Sequence, residues 1–144
     1  MYATSRMNPN TTDTATDITT DGENASGIVV WPVFDEDITI INSGEITTSG
    51  GSAHGIYVYG FDFYHEIGGD VAITNSGGGS ISTSGTYAHG IYVNGVGYIT
   101  GDVSVDGDGD IAAAGDSADG IYVTGVTGAV HIEIGGHVSG GSGD

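Results

Sequence analysis

The stretch SAHGIYVYG, residues 52–60, returns as YAHGIYVNG at 87–95 and as SADGIYVTG at 117–125, with a looser copy, ASGIVV, starting at Ala25. A binding site needs its residues once, whereas a stacked structure needs them once per layer. Repetition on this scale therefore speaks first of architecture. Anchored on Ala25, Ala53, Ala88 and Ala118, the copies start 28, 35 and 30 residues apart.

A second motif follows each copy: DITIINSG from Asp37, DVAITNSG from Asp70, DVSVDGDG from Asp102 and a degraded AVHIEIGG from Ala129. A third closes the unit: ITTDG at Ile18, ITTSG at Ile46, ISTSG at Ile81, IAAAG at Ile111 and VSGGS at Val138. Each period thus holds three strand-like segments bounded by Gly and Asn-Ser-Gly turn signals. Within them apolar residues alternate: Ile56 and Val58 flank Tyr57, Val71 and Ile73 flank Ala72, and Val103 and Val105 flank Ser104. Glycine recurs every few residues and no helical period is sustained, which excludes helices.

Three strands per period of about 30 residues, each with one apolar face, predict an all-β chain folded as a right-handed parallel β-solenoid (β-helix) of about four to five turns. Strands of successive turns then lie on one another. Ile18, Ile28, Ile56, Val58, Ile91, Val93, Ile121, Val123 and Val138 are expected to form the stacked interior and the surfaces of assembly. Ala53, Ala88 and Ala118 belong at a tight corner, with Gly55, Gly90 and Gly120 supplying a bend or a positive φ. The solenoid domain is expected over 18–144, with the polar segment 1–17 as a strand linking subunits.

The units NSGEITTSGGSAHGIYV (42–58) and NSGGGSISTSGTYAHGIYV (75–93) resemble the repeats of autotransporter passenger domains and related secreted bacterial β-helix adhesins, over about residues 18–140. The resemblance implies an extracellular or cell-surface setting, and functions that include adhesion and biofilm scaffolding. The family's many turns and its membrane barrel are not matched here.

Composition narrows the partners. The 144 residues carry one Lys or Arg, Arg6, against 19 Asp and Glu, a net charge of −18. Neutralising phosphate takes Lys and Arg in number, so nucleic acid and anionic membranes are excluded as partners. No apolar run approaches the roughly 18 residues that insert across a bilayer. There is no cysteine, and MYATSRMNPN has no signal core, so an export signal is expected to be removed or to lie outside this numbering.

Two solenoid ends with unpaired backbone and no visible cap leave two readings open: a piece of a longer solenoid, or a subunit that stacks head to tail on further copies as a filament. The filament leads. The competitor is an adhesin fragment that binds glycan or a cell-surface protein through an aromatic surface of Trp31, Phe34, Tyr57, Phe61, Phe63, Tyr64, Tyr92 and Tyr122. A glycan-active enzyme is the remote third class. No cofactor is required, but Asp106, Asp108 and Asp110 in VDGDGDI are a candidate calcium site, weighed against a solvated acidic turn. His54 and His89 share one repeat position and are read as outward corner residues beside Asp119, rather than as metal ligands. Thr47, Thr48, Ser82 and Thr83 offer only a broken hydroxyl array for ice. No pair of acids converges with Arg or Lys, so catalysis is not expected.

Overall fold

The computed structural model describes residues 10–31, 36–60 and 67–142. Within these it contains fourteen strands wound as a right-handed parallel β-solenoid. The first wall stacks β1 (Asn10–Thr14), β4 (Ile38–Asn42), β7 (Val71–Asn75), β10 (Val103–Gly107) and β13 (Val130–Ile134). The second stacks β2 (Ile18–Thr20), β5 (Glu45–Thr48), β8 (Ser80–Thr83), β11 (Ile111–Ala113) and β14 (Val138–Ser139). The third holds four strands: β3 (Ile28–Val30), β6 (Ile56–Gly60), β9 (Ile91–Ile99) and β12 (Ile121–Val126). Four full turns are followed by two strands of a fifth.

The register is that of the repeat. Ile28, Ile56, Ile91 and Ile121 pair in one column, and Val30, Val58, Val93 and Val123 in the next. Since side chains alternate faces along a strand, these columns point inward and carry a continuous apolar core, with Ile46, Ile81 and Ile111 from the second wall and Ile40, Ile73 and Val105 from the first. A further inward column, Ile67, Ile99 and Val126, fills the corner between the third wall and the first.

Polar groups inside the corners are paired. Thr20, Thr48 and Thr83 turn inward and donate their hydroxyls to the carbonyls of Ala25, Ala53 and Ala88, closing three of the four bends between the second and third walls, while Ala113 takes this position in the fourth. This removes Thr48 and Thr83 from the outward array considered for ice. Asn42 and Asn75, both fully buried, form a ladder in which the amide of Asn42 donates to Asn75 Oδ1 at 2.8 Å.

Of the two roles expected of the corner glycines, the bend is present and the positive φ is not. Gly55, Gly90 and Gly120 do not adopt positive φ; a Cβ on Gly90 would meet the side chain of Ile111 and lie 2.5 Å from the carbonyl oxygen of Gly120, so glycine is required by the closeness of adjacent turns. Left-handed backbone falls instead on the residue before each alanine: Asn24, Ser52, Tyr87 and Ser117, with φ of 56°, 53°, 57° and 54°.

The solenoid also reaches into the segment set apart by its polarity. β1, with sequence NTTDT, lies in register on the chain's own β4, from Asn10 opposite Ile38 to Thr14 opposite Asn42.

Candidate functional site

Three surfaces stand out among the described residues. The first is the end formed by β13 and β14. Val130, Ile132 and Val138 occupy the inward positions that Val103, Val105 and Ile111 fill one turn below. The lower three are fully buried, whereas the end residues are 48%, 49% and 41% exposed. The difference lies in the cover: among the described residues one rung has a neighbour above it and the other does not. Ile121 and Val123, at the top of the third wall, are likewise only partly buried.

The second surface is an aromatic and histidine column along the third wall. Register places Tyr57, Tyr92 and Tyr122 opposite one another. Tyr57 and Tyr92 stack at 5.1 Å and 9°, and Tyr122 continues the column at 5.3 Å. Tyr59 joins Tyr57 at 5.5 Å, and exposed Trp31 meets Tyr59 edge-on at 6.1 Å. Phe34, Phe61, Phe63 and Tyr64 lie outside the described residues.

His54 and His89 stand beside this column, and their setting corrects the expectation of an outward corner. His54 is only 6% exposed; its ring stacks on His89 at 5.2 Å and touches Tyr57 and Tyr92 at 4.8 Å. Its Nδ1 accepts the backbone N–H of His89 at 3.0 Å, and His89 Nδ1 accepts that of Asp119 at 2.9 Å. Ser26 fills the same role one turn earlier, accepting the N–H of His54 at 3.0 Å. An accepting Nδ1 carries no proton, so both rings are neutral with the proton on Nε2. Burial, reinforced by the neighbouring His89, pushes His54 down to about 4. Burial also lowers His89, against the opposing pull of the Asp119 carboxylate 3.5 Å away. Burial and the adjacent Tyr92 push Tyr57 up to about 12.

The third surface is acidic, and its carboxylates divide into two kinds. Asp37, Asp70 and Asp102 form a ladder in which each Oδ1 accepts a backbone N–H from the next turn, those of Asp70, Asp102 and Ala129, at 2.9, 2.8 and 2.7 Å. At the corners, where no strand carbonyl faces these donors, a carboxylate satisfies them. Asp110 does the same for His137 at 2.8 Å, and Asp108 accepts the N–H of Gly77 at 3.1 Å.

Asp106 differs. It pairs in register with Glu133, while His131 lies opposite Ser104. His131 Nε2 is 3.4 Å from Glu133 Oε2 and 3.9 Å from Asp106 Oδ1. Among the described residues this trio is the set of potential metal ligands whose atoms lie within 4.8 Å of one another. The three aspartates proposed from VDGDGDI are thus not brought together. His131 and Glu133 were missed, although laying AVHIEIGG beneath DVSVDGDG already places Glu133 against Asp106.

Among the described residues no helix is long and apolar enough to cross a membrane. No family model, no curated protein and no solved structure matches the chain.

Proposed function

We propose that this β-solenoid is a structural subunit that stacks end to end on further copies of itself, forming an acidic extracellular filament. The observation that carries the reading is the exposed apolar rung of Val130, Ile132 and Val138, whose counterparts one turn below are sealed. Burying three such side chains is worth about 1.5–3 kcal/mol each at full cover, with the strand edges adding backbone hydrogen bonds. At the opposite end β2 and β3 bring Ile18, Ile28 and Val30 in the inward columns, while β1 brings Thr12 opposite Ile40, so a second copy presents three parallel strand edges to the last turn. The contact is head to tail and does not close, which makes the product a fibre.

The charge of −18 suits such a fibre, because like-charged flanks keep fibres apart until divalent cations bridge them. The resemblance of the NSG to GIYV units to secreted bacterial passengers supports the extracellular setting. The reading assigns the chain no reaction.

Exposed Trp31 and Tyr122, at the two ends of the aromatic column, favour a second reading in which this flank of an adhesin contacts glycan or a cell-surface protein. Electron microscopy of the purified chain at micromolar concentration, with and without millimolar calcium, separates the two. Fibres are expected. Monodisperse particles under both conditions, with retention on a glycan panel that is lost in Trp31→Ala, would replace the filament by the adhesin.

A further inference from the structure

We propose that Asp106, His131 and Glu133 form a binding site for a divalent transition ion of the zinc class. The repeat itself isolates these residues. The outward row that ends at His131 passes through Thr39, Ala72 and Ser104, and the row that ends at Glu133 runs from Asp13 through Ile41, Thr74 and Asp106. Two acids face each other across adjacent turns of this row only at Asp106 and Glu133, Asp13 being separated from them by Ile41 and Thr74, and an imidazole joins them from the neighbouring row only at His131.

The partners of the acids make the same distinction. Asp37, Asp70, Asp102, Asp108 and Asp110 each hold a backbone N–H. Asp106 and Glu133 sit directly opposite each other, a like-charge pair that a sheet disfavours, and both turn to the same imidazole nitrogen. A cation between them removes that repulsion.

The geometry suits a small ion. With all three ligand atoms inside 4.8 Å of one another, an ion among them lies within about 2.8 Å of each, and modest side-chain rotation shortens this to the 2.0–2.2 Å of zinc to nitrogen and oxygen. The imidazole selects against calcium, which takes six to eight oxygens. Three protein ligands on solvent-facing strands leave further positions to water. The site belongs to one chain and does not depend on stacking.

Isothermal titration of the full chain with zinc chloride tests the assignment, with His131→Ala, Glu133→Gln and, as a control, His137→Ala. The expected result is one equivalent bound by the wild type and by H137A, and affinity reduced about tenfold or more in H131A and E133Q. Circular dichroism is expected to show unchanged folding, since all three side chains are solvent-exposed. Zinc binding of equal strength in H131A, no binding by the wild type, or displacement of zinc by millimolar calcium would each overturn the proposal.

Discussion

His54 shows how much a single residue of the repeat can carry. It was visible as one of two histidines at a shared position, but its burial depends on the tyrosines of two turns closing over it, which spacing along one strand does not reveal. The consequence is a pH dependence with a definite sign. Below about pH 6.5 an unfolded histidine takes up a proton that the folded His54 refuses until about 4. Stability is therefore intact above that window and falls as the pH drops through it, by ~2 kcal/mol once solvent screening is allowed for. His89 acts in the same direction, because protonating either Nδ1 breaks a hydrogen bond between turns. Urea unfolding at about pH 7 and about pH 4.5 measures the difference. His54→Asn, which keeps an acceptor in that place without a titrating group, is expected to reduce it; an unchanged pH dependence in H54N would remove His54 as the cause.

At the scale of strands and corners, the repeat was an accurate guide wherever an apolar column runs through it, because the Ile and Val positions alternate with period two and recur once per turn. The exceptions have separate physical reasons. β1 was not legible because NTTDT carries no apolar alternation; its strand character comes from pairing with β4. The column of Ile67, Ile99 and Val126 was obscured by linkers of unequal length. Glycine was legible as a corner signal but not in its role, since sequence does not distinguish a need for positive φ from a need for closeness. That distinction is testable. Gly90→Ala is expected to destabilise the fold by about 1–3 kcal/mol or more, because its Cβ meets Ile111 and the Gly120 carbonyl at the middle of the stack. Thermal unfolding checks it: a substitution tolerated within a few tenths of a kcal/mol would show that the turns can separate to admit a methyl group.

At the scale of the molecule, the described walls end unevenly, five strands in two of them and four in the third, and this has a bearing on the symmetry of any polymer. The fourteen described strands do not divide by three. A copy that continues the spiral without interruption sets its β1 on β12, its β2 on β13 and its β3 on β14. Each subunit is then rotated by a third of a revolution and advanced by about 22 Å, and the fibre is a threefold screw repeating about every 67 Å, at about 4.8 Å per rung. Copies stacked wall on like wall would advance about 24 Å without rotation and leave a one-strand notch at every junction. Layer lines from fibre images distinguish the two, and the screw is the expected outcome because it continues the spiral without a missing strand. Its winding would carry the tyrosine column and the aspartate ladder, each confined to one flank of a single subunit, around the whole circumference, so that the fibre shows the same chemistry from every side.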